Sequence, residues 1–542
     1  MAQAKQKPPR GSSAKPDHIL LSLNGDAATA RAITWRTAPT AGPGFVEYWE
    51  ACAAQPRRMT CQAQSAPFVS DIDESRIHWC HLRKLKPGTR YAYTCGDAEQ
   101  RSAEYSFRTA PTKIERFKFI CVADQQKGQP HDLPDYSGFN RFLKELLRRH
   151  PDTAFFLTGG DNTDCGQHEQ QWNGAFLGLA GVAESVPFMM ALGNHDNRGF
   201  RDYKNGVGRY YAEPADYFDT QLQGAYPDNG PANWKTENYA FAYGDAQFSV
   251  IGINGPEEVN DWLSGALDRS RAKWKLGVYH FPVCYSGTDC QNYDCIPALQ
   301  EGMEKLDLLF SGHEHNFSRS FPRRGEELFD RPSQGTVHYM LGNSNQNPPG
   351  SRTVSKIWHA AFFPQEEQVS CACVVEVEGD TLTLTSVLDD GRIVDRCVIN
   401  KAKDEITPCA LAPRFNRTRM MFKGMDPGLS QADTPCEERE GVWFAPLGVL
   451  VGFIGGAVEK TPGRLRLEIY GHWAVFTQGA AAAQTDRGEV ALPAAVYRAA
   501  RGQLYVPAAA CAIFEMRWGF ARRNNFLSFE HESEDKPVTP QP

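Results

Sequence analysis

The chain has 542 residues, too many for one hydrophobic core, so two to four domains are expected. Hydrophobic residues at 41% and charged residues at 23% describe an ordinary globular composition, and the net charge of −7 contains no long block of either sign. That balance gives no basis for a nucleic-acid or anionic-membrane surface. The most apolar stretch, Phe444 to Val458, holds five glycines or prolines and is too short to span a bilayer.

The opening MAQAKQKPPRGSSAKPDH is positively charged, but no apolar run follows it. It is not a secretory signal as written; the location is open, cytoplasmic only as the sequence stands. Residues 1–16, rich in Lys, Pro, Gly and Ser, are expected to be a disordered tail. From 17 to 112, the short runs HILLSL, ARAITWRT, GFVEYWE, RIHWCHL, TRYAYTCG and AEYSFRTA alternate with turns, one of them at Lys86-Pro87-Gly88. Such spacing without helical periodicity predicts an all-β sandwich.

From 113 to 402, apolar strands alternate with helical stretches. FKFICVA precedes GFNRFLKELLRRH, and TAFFLTG precedes EQQWNGAFLGLAGVA; the strands PFMMAL, QFSVIGIN, KLGVYHF, LDLLFSG and TVHYMLGN follow. This predicts a layered α/β domain that closes with the strands CACVVEVEG and TLTLTSVL. Residues 403–532 carry an internal repeat. GVWFAPLGVLVGFIGGAVEKTPGRLRLE from Gly441 matches GQLYVPAAACAIFEMRWGFARRNNFLSFE from Gly502. Each copy reads as aromatic strand, proline, short apolar helix and strand–turn–strand, a small duplicated α+β domain. Residues 533–542 are expected to be a tail. The fifteen cysteines show no CxxC zinc spacing, and both reduced thiols and some disulfides remain open.

Five short motifs each follow an apolar strand: Ala123-Asp124, Gly160-Asp161-Asn162-Thr163-Asp164, Gly193-Asn194-His195-Asp196, Tyr279-His280-Phe281-Pro282 and Gly312-His313-Glu314-His315. Ligand sites of layered α/β proteins gather at the carboxyl ends of strands, so side chains from five strands can converge. Carboxylate, amide and imidazole donors suit Zn, Mn or Fe better than Mg or Ca. Two ions are expected. Asp161 would bridge them, Asp124 and His315 would hold the first, and Asn194, His280 and His313 the second. Such a pair lowers the pKa of a shared water and stabilises an in-line displacement at phosphorus.

In this order the motifs resemble the calcineurin-like metallophosphoesterase superfamily. With the segment PDHILLSLNGDAATARAITWRT, which resembles the fibronectin-like N-terminal domain of purple acid phosphatases, residues 17 to about 400 look like that branch. The resemblance implies a four-layer β-sandwich flanked by helices, preceded by the all-β fibronectin-like sandwich, and hydrolysis of a small phosphorylated substrate. By the same resemblance His195 would contact phosphate and protonate the leaving oxygen, Asp196 would orient His195, and Arg319 would take the family's arginine position. Tyr285 would line the pocket, whose walls are expected in Asp202 to Trp234 and Val283 to Pro297.

Two positions depart from the family. The tyrosine that colours purple acid phosphatases is Asp164 here, which implies a colourless enzyme. Gln126 stands where the wider superfamily has histidine and the purple branch has glycine, and both Gln126 and Asp164 are open as ligands or pocket residues. The repeat resembles the copper amine oxidase N-terminal-like (stalk) domain of bacterial surface proteins. That implies no copper site and leaves cell-surface or glycan association open, and the resembled families are often secreted. Phosphomonoester hydrolysis is the leading expectation; the alternatives are phosphodiester or nucleotide hydrolysis and a non-enzymatic surface-binding protein with a decayed scaffold.

Overall fold

A computed structural model describes residues 11–128, 133–197, 215–287, 295–347, 355–365, 367–410, 418–423, 436–499, 502–521 and 526–531. By internal contacts the chain divides into a large unit (1–285, 290–351 and 363–409) and a smaller one (286–289, 352–362 and 410–542).

The large unit begins with two four-stranded sheets. One runs Asp17–Ser22, Arg31–Thr37, Glu74–Leu82, Gln64–Val69, and the other Met59–Gln62, Phe45–Glu50, Arg90–Gly96, Tyr105–Arg108. Alternating residues such as Ile33, Trp35, Val46, Tyr91 and Tyr93 fill the space between them, so the expected sandwich is observed. The expected tail of 1–16 is shorter at its inner end. Ser12 donates through its backbone N–H and Oγ to Asp73 at 2.6 and 2.8 Å, and the carbonyl of Ser13 accepts from Ala38. Residues 1–10 and 532–542 lie outside the described residues.

Two further sheets form the layered α/β part. The first runs Phe188–Met189, Thr153–Thr158, Arg116–Val122, Cys371–Glu378, Thr381–Leu388, Ile393–Asn400, Glu405–Ile406. Its first three strands are parallel and the remainder antiparallel. The last of these carries the unit past the expected boundary at 402. In the second sheet, Tyr239–Tyr243 is antiparallel to Ala246–Ile251, which continues in parallel through Trp274–Tyr279, Leu308–Ser311 and Val337–Leu341, with Phe317–Ser320 antiparallel to the last. Aromatic rings lock the two sheets face to face: Phe119 meets Phe248 at 5.1 Å and Phe155 meets Phe241 at 5.4 Å, both edge to face.

The helix Ser137–Arg149 buries Phe139, Phe142, Leu143 and Leu146, the 0, 3, 4, 7 spacing of one helical face, and ends with Arg148 and Arg149 in the turn where cations suit the helix dipole. Each of those side chains contributes roughly 1.5–3 kcal/mol by leaving water; a charge at Phe142 would undo the docking of the helix.

In the smaller unit both repeat copies have the expected element order. The first is strand Val442–Ala445, Pro446, helix Leu447–Phe453 and strands Ala457–Thr461 and Arg464–Ile469. The second is strand Leu504–Pro507, a 3₁₀ rather than an α-helix at Ala508–Phe514, then strands Met516–Ala521 and Phe526–His531. The two leading strands pair antiparallel with each other, Phe444 opposite Pro507 and Ala445 opposite Val506. Leu447, Leu450, Val451, Leu465, Phe514 and Leu527 share one core. Among the described residues every cysteine is a free thiol, and no helix is long and apolar enough to cross a membrane.

Candidate metal centre

All five motifs begin where a strand ends. Asp124, Asp161 and Asn194 follow strands Arg116–Val122, Thr153–Thr158 and Phe188–Met189 of the first sheet; His280 and His313 follow Trp274–Tyr279 and Leu308–Ser311 of the second. The backbone sews these ends together. Asp124 N–H donates to the Gly160 carbonyl at 3.1 Å, and Gly312 N–H to that of His280 at 3.0 Å. Asp124, Asp161, His313 and His315 all adopt left-handed backbone, with φ of 51°, 55°, 80° and 55°. Such strain persists only where surrounding structure over-determines it, and it clusters at functional sites. Two glycines clear the space: a Cβ on Gly193 would lie 2.2 Å from Asp161 Oδ1, and one on Gly312 would lie 2.6 Å from Asp124 Oδ2.

Donor atoms of Asp161, His280 and His313 lie within 4.8 Å of one another. Asn194 Oδ1 sits 2.9 Å from His280 Nε2 and 3.0 Å from His313 Nδ1, and His280 Nε2 sits 3.2 Å from Asp161 Oδ2. Nδ1 of His280 lies 2.8 Å from the Gly159 carbonyl, which can only accept. That nitrogen therefore carries the proton and leaves Nε2 free to face Asp161, the arrangement typical of metal-binding imidazoles. On the other side, His315 Nε2 is 3.8 Å from Asp124 Oδ1. Gln126 Nε2 spans the two halves, 3.0 Å from His315 Nε2 and 3.3 Å from Asp161 Oδ2.

The charge balance of this cluster asks for cations. Asp124 is fully buried and its Oδ2 has no hydrogen-bond partner. Burial, followed by the neighbouring Asp161, pushes its carboxyl well above the usual range, against the pull of His280. Burial also opposes ionisation of Asp161, but His280, His195 and His313 outweigh it and hold that carboxyl low. His280, despite its burial, is raised to about 9 by Asp161 and Asp124, while burial and then His280 lower His313 to about 3. An orphaned buried carboxylate oxygen beside converging oxygen and nitrogen donors fits bound cations, so the donor set suits the expected metals.

The residues around this core differ in part from the sequence expectations. His195 is oriented by Asp164, not Asp196: its Nδ1 lies 3.0 Å from Asp164 Oδ1 and 3.1 Å from the Asp164 carbonyl. Asp196 is saturated elsewhere, accepting from the N–H of Gly193 and Thr163, from Thr163 Oγ1 and from Asn162 Nδ2, at 2.9 to 3.0 Å. It ties the Asn194 turn to the Asp161 turn. Arg319 also departs from expectation. Its guanidinium is buried against Asp395, at 2.8 Å from Nε and 3.3 Å from Nη2, and reaches the carbonyls of Thr407 and Pro408. This side chain braces the strand Ile393–Asn400, and its placement gives no support to a catalytic role. Tyr285 is buried within the electrostatic reach of Arg323. Residues 202–214 and 288–294 of the expected pocket walls lie outside the described residues.

Two supports went unread in the sequence. Asn347 donates through Nδ2 to the carbonyls of Asp124 and Gln126 at 2.9 and 2.8 Å, fixing the backbone around Asp124. Its run, Gly342-Asn343-Ser344-Asn345-Gln346-Asn347, follows strand Val337–Leu341 and so has the strand-end signature of the five motifs. The second support comes from the N-terminal sandwich. Helix Glu169–Leu179 has no side-chain cap of its own; Asp71 accepts its first N–H, on Glu169, at 2.8 Å and lies 3.0 Å from His168 Nδ1. Fully buried Arg36 joins Asp17 at 2.8 Å to Glu169. Inside the same helix, Gln171 Oε1 accepts the N–H of Asp164 at 3.0 Å. The sandwich thus holds the helix that holds the loop carrying Asp161 and Asp164.

Residues 16–109 match the family model for the purple acid phosphatase N-terminal domain, and residues 117–317 match that for calcineurin-like phosphoesterases. Among curated proteins, the chain is 22% identical over 396 residues to probable inactive purple acid phosphatase 1 of Arabidopsis thaliana, covering 66% of this chain and 62% of that one. It is 26% identical over 371 residues to acid phosphatase type 7 of Homo sapiens, covering 61% and 78%. The chain spans 51–62% of the length of the first three plant relatives it matches. Among solved structures, a purple acid phosphatase from yellow lupin (Lupinus luteus) seeds aligns with a TM-score of 0.56 at 16% identity, covering 71% of this chain and 74% of that one.

Proposed function

Because the chain belongs to the calcineurin-like phosphoesterases, on the purple acid phosphatase branch, we propose that it hydrolyses phosphate monoesters at the centre formed by Asp124, Asp161, Asn194, His280, His313 and His315. The observation that carries this reading is the convergence of Asp161, His280 and His313 within 4.8 Å, beside a buried Asp124 oxygen with no partner. Two cations, one held by Asp124 and His315 and the other by Asn194, His280 and His313, with Asp161 shared, would supply a nucleophile at neutral pH and neutralise charge developing on phosphorus.

The chain's own groups supply the rest. Asp164 holds Nδ1 of His195, so Nε2, which is 3.8 Å from Asp161 Oδ2, is the ring atom turned to the centre. A proton held there can pass to the leaving oxygen, so that alcohol departs in place of alkoxide. The His195 backbone N–H donates to Asp161 Oδ1 at 2.8 Å, which ties the acid to the bridging ligand. Gln126, between His315 and Asp161, orients both through its amide.

Metal analysis together with turnover of an aryl phosphate and a bis-aryl phosphate tests this, on wild type and Asp161→Asn. The expected result is two metals per chain, faster turnover of the monoester, and loss of both metal and turnover in the variant. Unchanged turnover in Asp161→Asn would overturn the site. A second reading, a metal-loaded scaffold without turnover, is favoured by the description of some relatives as probable inactive. Stoichiometric metal with no hydrolysis of either ester would support it; the presence of all six ligands weighs against it.

A further inference from the structure

The smaller unit presents a groove of about 290 Å³ lined by Pro446, Val449, Lys460, Arg464, Arg498 and Leu504, with Leu465 and turn residues completing the wall. Its cations are set apart from others in that unit. Arg439 pairs with Glu437 at 2.8 Å, Arg466 with Glu468 at 2.8 Å, Arg487 with Glu515 at 3.0 Å and Arg517 with Glu530 at 4.0 Å. Among the described residues, Lys460, Arg464 and Arg498 have no carboxylate partner, and all three line this groove. Arg498 spends only its Nε, on the Gly502 carbonyl at 3.2 Å. No acidic side chain lines the groove either. Three unneutralised cations in one concavity, on a chain of net charge −7, form a local positive field against the overall sign.

The strand pairing places aliphatic surface beside those charges. Lys460 stands opposite Leu465 on one hairpin, and Arg498 opposite Leu504 on another. Pro446 and Val449, from the start of helix Leu447–Phe453, add to the apolar wall. None of the described lining residues is aromatic, so the groove offers no stacking surface for a nucleobase. Its volume lies at the small end of the roughly 300–1,000 Å³ range of small-molecule sites, which suits one short chain with one charged head.

We infer that this groove binds an amphiphilic anion, an aliphatic carboxylate or alkyl phosphate, with its head on Lys460, Arg464 and Arg498 and its chain on Pro446, Val449, Leu465 and Leu504. Charge-assisted hydrogen bonds fix the head, and burial of the chain adds affinity that a bare anion lacks.

Calorimetric titration of the full chain with octanoate and with octylphosphonate, which the phosphoesterase centre cannot hydrolyse as an ester, tests the assignment. Each is expected to fill the groove at one per chain, the groove's share of the heat being the part that the triple variant below loses, and whichever binds tighter there identifies the preferred head. Acetate, inorganic phosphate and 1-octanol are expected to bind at least about tenfold more weakly at this site. The triple variant Lys460→Gln/Arg464→Gln/Arg498→Gln should weaken octanoate by about tenfold or more while aryl phosphate turnover stays unchanged. Should the triple variant unfold, Arg464→Gln alone is expected to give a smaller loss in the same direction. Wild-type affinity in a folded variant, equal affinity for 1-octanol, or no binding of either octyl anion would each overturn the inference.

Discussion

Oδ1 of Asp164 lies 3.0 Å from Nδ1 of His195, so the residue three beyond Asp161 fixes the ring turned toward it. If Asp164 acts by holding that ring, Asp164→Asn lowers kcat by about ten- to a hundredfold and leaves KM nearly unchanged, whereas His195→Ala costs about 10²–10⁴. Combined, the two changes should cost little more than His195→Ala alone, because they disable one unit. Steady-state kinetics on the four forms decides; additive losses would mean that Asp164 works independently of the ring.

The same residue bears on colour. An aspartate at 164 offers no phenolate to ferric iron, so the iron-loaded protein should be colourless. A visible-range spectrum checks this directly, and an intense band in it would mean that some other phenolate reaches the metal.

Asp196 is expected to matter for stability more than for chemistry. Its four donors are all buried, and burial followed by the Asp161 charge raises its carboxyl to about 6. Asp196→Ala strands those donors and should lower unfolding free energy by roughly 3 kcal/mol. Denaturant unfolding at neutral pH, set beside Asp164→Asn as a variant that keeps its fold, distinguishes the two aspartates.

Stability should fall on the acid side through His18. This ring is buried between Gln221 and Asn173 at 3.0 Å and stacked on Phe176; burial, then the charge of Arg36, lowers it from 6.5 to about 4 despite Asp17. The unfolded chain therefore binds a proton near pH 6.5 that the folded chain resists until about pH 4. Stability present above pH 6.5 is lost progressively across that window, by something on the order of 3 kcal/mol. His18→Gln should flatten the slope of unfolding free energy against pH between 4 and 6.5; an unaltered slope would place the titration elsewhere.

The sandwich should make itself felt in the loop that leads into the helix it caps. Asp71→Ala removes the cap that Glu169 receives from another domain and is expected to cost about 1 kcal/mol. Amide hydrogen exchange should rise over 161–172, with a fall in kcat. Arg36→Met leaves Glu169 as a buried charge without its partner and should cost about 3–5 kcal/mol, most of it recovered in Arg36→Met/Glu169→Met. If the double variant is no better than the single one, the charge pair is not what joins the two domains.

The six candidate ligands were legible because their grammar is local: an apolar strand and then a donor, with a glycine just before it at Asp161, Asn194 and His313. The contacts of the residues around them were not, because the partners come from far along the chain. Asp395 is 76 residues from Arg319, Asp71 is 98 from Glu169, and Asp164 is 31 from His195. The resemblance implied Asp196 as the partner of His195, yet a four-residue turn aims neighbouring side chains in different directions. The repeat was readable as element order, but the 3₁₀ winding of Ala508–Phe514 reflects packing that composition does not encode.

The antiparallel pairing of Phe444 with Pro507 and Ala445 with Val506 also constrains the copy number. Each copy completes the other's hydrogen-bonding edge, so a truncation that keeps only one would bare a strand next to an opened apolar core. Such a half would be expected to self-associate, taking from a second molecule the neighbour it lost, and the duplication can be shortened only by discarding both copies together.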